Sequence, residues 1–371
     1  MIMKTKQLII LSGLILIFVI FAASYNVRKQ SETIIIPNKE ENQIEVQKSG
    51  SFKVKKIYRL PKADQLLGWT ASNTVVGFFQ QGNDTTERLA SQPIQRLTFP
   101  FEKPETLQSI ERNTANIKVS PDGKNAVGLT ISTDRITLNL MSLTHRNKKK
   151  IDSFPLIKGA YVKDISWSNN SKDICYLVID PEENRKTGIN VYNTDSGALK
   201  TFSLKDFDEK ESLSAASISD DGRNVLLTMS HGQQTRIVRG TITNDEIMMK
   251  NKRQNSYDEP VWLNNYQFLF LGAGGTLYEY DLRNSELSVL LGNVDVFKIS
   301  NDRKKIAYSL YGKDNTYAGI LQGKNILNPE PIYHGTSPSE MYWSPDGKNL
   351  LINDKDLYFS SESSSYIIAF K

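Results

Sequence analysis

The chain has 371 residues, 39% hydrophobic and 23% charged, a length and composition that exclude a disordered or collagen-like protein. Its 46 basic and 41 acidic side chains give a formal net charge of +5, but Lys4, Lys6, Arg28 and Lys29 all belong to the N-terminal 29 residues, which hold no acid. Without those four, 42 cations face 41 anions, which excludes the concentrated basic face of a nucleic-acid binder.

Leu8 to Ala23 is apolar except for Ser12 and Gly13, and Lys4 and Lys6 precede it, the pattern of a secretory signal or an uncleaved anchor. The run is slightly shorter than the roughly 17–25 residues of a spanning helix, although Gln7 and Ser24-Tyr25 can extend it. Residues 1–27 are therefore expected to form a transmembrane anchor or, alternatively, a signal peptide cleaved near Ser24. Both readings export the rest of the chain. Residues 28–48, rich in Glu, Asn, Lys and Gln, read as a flexible linker.

From residue 49 onward one phrase dominates. Ser120-Pro-Asp122-Gly123-Lys returns as Ser344-Pro-Asp346-Gly347-Lys, and weaker copies align at Thr70, Ser168, Ser219 (with Asp221 and Gly222), Leu263 and Ser300 (with Asp302). The spacing is about 37 to 51 residues, the length of a four-stranded propeller blade. Large apolar or β-branched residues precede the anchors, and all four tryptophans (Trp69, Trp167, Trp262 and Trp343) stand there. Within a unit, a short apolar run ends at the anchor. The Asp or Asn then accepts backbone bonds two residues on, and Gly takes a positive φ. β-rich runs follow, such as Ile174-Cys-Tyr-Leu-Val-Ile179, Phe268-Leu-Phe-Leu271 and Thr276-Leu-Tyr-Glu-Tyr280. Gly272 to Gly275 reads as a hairpin turn between two of them.

The ends complement each other. After Trp343 only three strands remain, and Phe52 to Leu60 can supply the fourth, setting the segment near Ile57 beside that near Ile368. This closes a ring over 49–371 and removes exposed edges. The expected fold is all-β, a seven-bladed β-propeller with about 46 residues per blade, with six blades or a β-sandwich as the rivals.

Chemistry leaves little linear trace. His145, His231 and His334 lie in separate units without metal-ligand spacing, no G-x-S-x-G elbow occurs, and the Asp-Gly turns supply too few oxygens for calcium. No catalytic, cofactor or metal residue is assigned. Cys175, the only cysteine, reads as a small buried hydrophobe, and the run His145 to Lys150 as a solvated hairpin tip.

The phrase Trp343-Ser-Pro-Asp-Gly-Lys-Asn-Leu-Leu resembles the WD40-like repeat of TolB-type propellers, and Ile117 to Lys124 and Ile218 to Arg223 are weaker copies. The resemblance covers about Leu66 to Lys371. It implies a propeller whose faces and channel mouth bind proteins or peptides at the cell envelope. TolB's additional N-terminal domain has no counterpart in the linker, so TolB's own partners are not carried over. The expected function is a non-catalytic exported module, tethered to the membrane by its N-terminal helix and binding a protein or peptide partner. The alternatives are an envelope enzyme of lyase or lactonase type with a site at the channel, and a ligand sensor for a membrane partner. Binding is expected in the long loops Gly82 to Gln92, Asp180 to Thr187 and Leu204 to Ser214.

Overall fold

The computed structural model describes residues 34–35, 52–80, 91–156, 161–180, 186–205, 207, 211–232, 234–254, 259–354 and 364–371. Among them the regular structure is β except for one 3-10 turn at Ala273–Gly275, inside the Gly272 to Gly275 hairpin. The segment Leu8 to Ala23 lies outside the described residues, as do most of Gly82 to Gln92 and Asp180 to Thr187; of Leu204 to Ser214 only 206 and 208–210 do, and its two ends belong to strands. Among the described residues no helix is long and apolar enough to cross a membrane.

The repeat unit is an antiparallel meander. The first comprises Ala63–Ala71, Thr74–Phe79, Ser91–Thr98 and Glu105–Glu111, paired in that order from the inner to the outer edge. The same order recurs over 114–155, 161–205, 212–254, 261–291 and 294–334. The last sheet is built from both ends of the propeller. Glu340–Trp343, Asn349–Asp354 and Ser364–Phe370 are completed on the outside by Val54–Arg59. In this seam Ile57 stands opposite Ile368. Backbone bonds from Leu60 to Ser365 and from Lys371 to Lys53 extend it at both ends.

The expectation of one sheet per unit is modified in one place. The outer strands Leu199–Lys205 and Glu246–Gln254 converge far enough to pair in parallel over Ser203 to Lys205, so two consecutive meanders share one eight-stranded sheet. Among the described residues the strands form six hydrogen-bonded sheets. A second departure falls in the segment read as linker, where Ile34–Ile35 pairs in parallel with Leu287 and Ser288. The β-branched run Ile34-Ile-Ile36 suits a strand better than the polar residues around it.

The apolar core lies between the sheets. One cluster joins Val127, Leu138, Ile165 and Tyr176; another joins Leu177, Ile189, Leu227 and Val238 across the fused pair. A cluster of this kind lies between every two consecutive meanders. The cluster of Leu66, Trp69, Val75 and Leu97 with Leu351 and Ile367 joins the last sheet to the first, so the layers run in a ring around one axis. Cys175 is fully buried in one of these layers, and burial pushes its thiol pKa upward.

Candidate functional site

The repeated phrase builds one end of the ring. The Ser120 hydroxyl donates to Asp122 Oδ1 at 2.6 Å and accepts the Asn125 N–H at 3.0 Å, while Asp122 Oδ1 accepts the Lys124 N–H at 3.1 Å. The same triangle recurs from Ser168 (with Asn170), Ser219, Ser300 and Ser344. All five hydroxyl-bearing residues are buried, and their bonds are internal to the turn. At the copy built on Leu263, which lacks the hydroxyl, Asn264 Oδ1 accepts the N–H groups of Tyr266 and Gln267 instead. Gly123 has a φ of 74°, and a Cβ there would lie 2.7 Å from the Trp69 carbonyl oxygen, so conformation and close approach both require glycine.

The tryptophans do something the sequence did not announce. Each indole N–H donates to a backbone carbonyl on the inner strand of the preceding sheet: Trp69 to Tyr342, Trp167 to Lys118, Trp262 to Ser217 and Trp343 to Lys298. In all four cases the acceptor lies two residues before its own anchor. The bonds measure 2.9–3.3 Å. The tryptophans thereby pin the residues that line the axis.

Those residues form two tiers. Two positions before the anchors stand Gly68, Lys118, Ser166, Ser217, Val261, Lys298 and Tyr342; four positions before stand Asp164, Glu259 and Glu340 among others. Residues two apart on a strand share a face and lie roughly 6–7 Å apart along it. Lysines thus occupy one level and carboxylates the next. The side chains of Asp164, Ser166, Lys298 and Tyr342 turn toward the following sheet at its innermost edge, whereas Glu340 accepts Asn353 Nδ2 at 3.5 Å within its own sheet. Asp164 Oδ2 accepts the Ala216 N–H at 3.0 Å, and Ser166 Oγ donates to the Ala216 carbonyl at 2.6 Å. Lys298 Nζ lies 5.7 Å from the centre of the Tyr342 ring, and that ring rests on Gly68, where it lies 3.4 Å from the position of a Cβ.

Electrostatics identifies the shared space. Burial and then Glu259 raise the Asp164 pKa to about 6, while Lys118 opposes them, although the three belong to different sheets. Burial lowers the pKa of Lys298, which also senses Glu259, Lys118, Arg303 and Glu340. Yet Lys298, Lys118, Glu259 and Glu340 are exposed to water. Side chains enclosed by protein, wet, and sensed across the ring are the lining of a channel. Among the described residues none of Lys118, Asp164, Glu259, Lys298 and Glu340 forms an ion pair with another within 4.0 Å.

One end of the channel is spanned. Asn301 Nδ2 donates to the Pro121 carbonyl at 2.7 Å and Asn169 Nδ2 to the Trp262 carbonyl at 3.1 Å, both between meanders that are not consecutive around the ring. Arg303 enters the same region, where burial lowers its pKa and Asp220 opposes that effect. At the other end the inner strands begin, and there the connections after Phe79, Asp180 and Lys205 emerge. The carboxylate tier faces this second mouth and the lysine tier lies deeper.

Rival sites fare less well. Glu279 is buried, and burial followed by the nearby Asp281 raises its pKa to about 7. Its neighbours are engaged, however: Gln267 donates to it, Asp281 pairs with Arg283 and Glu286 with Lys324. A groove of about 510 Å³ on the outer rim is lined by Lys56, Tyr58, Arg59, Pro100 and Phe101, and its aromatic rings chiefly pack the seam between the last sheet and the first. His145, His231 and His334 are exposed and apart, and the described residues hold no group of three or more His, Cys, Asp or Glu that could bind a metal ion.

No family model matches the sequence, and no curated protein matches it. Among solved structures, oligogalacturonate lyase from Vibrio parahaemolyticus is similar at 10% identity and a TM-score of 0.55, over 86% of this chain and 95% of that one. The C-terminal WD40 domain of Sif2 is similar at 13% identity and a TM-score of 0.51, over 86% and 99%. The propeller domain of the Trilobed protease from Pyrococcus furiosus, described as having an open velcro topology, is similar at 14% identity and a TM-score of 0.50, over 84% and 94%. At these identities the likeness shows the fold alone. The chain folds as a β-propeller.

Proposed function

We propose that this protein is a non-catalytic binding propeller that receives its ligand in the axial channel, through the mouth opposite the repeated turns. We read the ring as seven blades, counting the eight-stranded sheet as two, because a separate apolar layer divides its halves. We also place the propeller outside a bacterial cytoplasmic membrane, tethered by residues 1–27; the support is the Lys4, Lys6 and Leu8-to-Ala23 pattern. The observation that carries the binding role is that, among the described residues, the five channel charges form no ion pair with one another, although Asp164 accepts the Ala216 N–H and Glu340 accepts Asn353 Nδ2 at 3.5 Å. Burying charge without a partner costs several kcal/mol unless the group keeps water or gains a ligand. The turn residues, by contrast, spend their hydrogen bonds on one another.

The test uses the full chain, extracted from its own membranes in mild detergent and analysed by native mass spectrometry. A bound species is expected on the native protein and absent from a Lys118→Gln, Lys298→Gln variant of unchanged thermal midpoint. Equal retention by both would remove the channel from consideration. A second reading, a channel enzyme, draws on Asp164, whose pKa near 6 suits proton transfer near neutrality. It requires turnover that disappears in Asp164→Asn while the native mass spectrum keeps the bound species.

A further inference from the structure

The order of the tiers narrows the ligand class, on the premise that the channel is the binding site. We infer that the channel takes a dipolar ligand of dipeptide length, its ammonium among Asp164, Glu259 and Glu340 and its carboxylate deeper, between Lys118 and Lys298. Two features of the channel lead there. The tiers are two strand residues apart, and an extended dipeptide spans the same two-residue rise, roughly 6–7 Å. On the entry route proposed above the anions are met first, whereas the cations stand toward the end spanned by Asn169, Asn301 and Arg303. A ligand carboxylate therefore has to pass the carboxylate tier to reach the lysines. That passage is favourable only if the same molecule brings a cation to remain at that tier.

The walls suit such a guest. Gly68, Ser166 and Ser217 are small, Val261 is apolar, and the Tyr342 ring offers a face beside Lys298. A simple anion would meet three carboxylates on the way in, and a simple cation would leave both lysines uncompensated. The ligand chemistry is shared by free dipeptides and by the ends of longer chains. A longer chain can place both of its charges only if one of them is carried by a side chain.

The experiment is calorimetric titration of the intact protein with L-alanyl-L-alanine, its N-acetyl derivative, its C-terminal amide, and tetra-alanine. Binding of the free dipeptide is expected, weakened at least tenfold by either block and by the added length. Lys118→Gln with Lys298→Gln should abolish discrimination against the amide while keeping discrimination against the acetyl form. Glu259→Gln with Glu340→Gln should do the reverse. Thermal midpoints and indole fluorescence confirm that both variants keep the fold. Equal binding of blocked and free forms, or no binding of any, overturns the inference. If the native chain still retains a species that depends on Lys118 and Lys298, the channel reading survives and only the dipolar class falls. Preference for tetra-alanine would assign the site to chain ends instead and would also overturn the proposal.

Discussion

Asp164 shows how a single residue links fold to site. Its carboxylate accepts the Ala216 N–H, and burial with Glu259 nearby raises its pKa to about 6 despite Lys118; it also raises the thiol pKa of the adjacent Cys175. An acid whose folded pKa exceeds its unfolded value holds its proton more tightly when folded. The stabilisation is therefore complete below about pH 4 and is lost as pH rises through 6, with an upper bound of about 3 kcal/mol. Asp164→Asn, whose Oδ1 can accept the same N–H, should raise the thermal midpoint at pH 7.5 and leave it unchanged at pH 4. A pH-independent difference would contradict the assignment. Ser344 makes the complementary case. It is fully buried, donates to Asp346 and accepts the Asn349 N–H. Ser344→Ala should cost about 1–3 kcal/mol in urea unfolding, because the Asn349 donor loses its partner.

At the scale of the element, the inner strand is the unit that carries information. Register shifts place an extra residue at Lys163, Ser214 and Asp295, each five positions before its anchor. A bulge re-aims the residues that follow it, and the two channel tiers come next. The strand is fixed at its other end by the tryptophan of the next blade. Trp343 packs on Phe52 and Phe370 while its indole N–H holds the Lys298 carbonyl. Trp343→Phe keeps most of the packing and should cost about 1–3 kcal/mol, against about 3–5 kcal/mol for Trp343→Ala. If the indole bond also sets the lysine tier, the Phe variant should weaken dipeptide binding without touching the ligand. Unchanged affinity would limit that bond to stability.

For the whole molecule, closure decides integrity. Val54–Arg59 covers the edge of Ser364–Phe370, and Phe52, buried at 2% exposure, packs on Trp343 and Phe370. Removing residues 1–60 should therefore lower stability by at least about 3 kcal/mol and yield concentration-dependent oligomers through the freed edge, read by light scattering. A truncated chain that remains monomeric with an unchanged midpoint would show that the seam contributes little.

Reading the residues in order determined the repeat, the turn chemistry at Ser120 and Ser344, and the complementary ends near Ile57 and Ile368. Each of these is local or periodic, and hydrogen-bond geometry at a turn or alternation along a strand depends on near neighbours in the chain. The fusion of two meanders through Ser203 to Lys205, the role of the indoles, and the channel charges were decided by the tertiary structure. Lys118, Asp164, Lys298 and Glu340 come from four inner strands and Glu259 from just ahead of a fifth, Val261–Trp262, and nothing in their own surroundings marks them. Their offsets of two and four from the anchors were visible, but became meaningful only once the strands were arranged around one axis. Charges far apart in the chain sense each other there because the ring brings them together across a narrow space walled by protein.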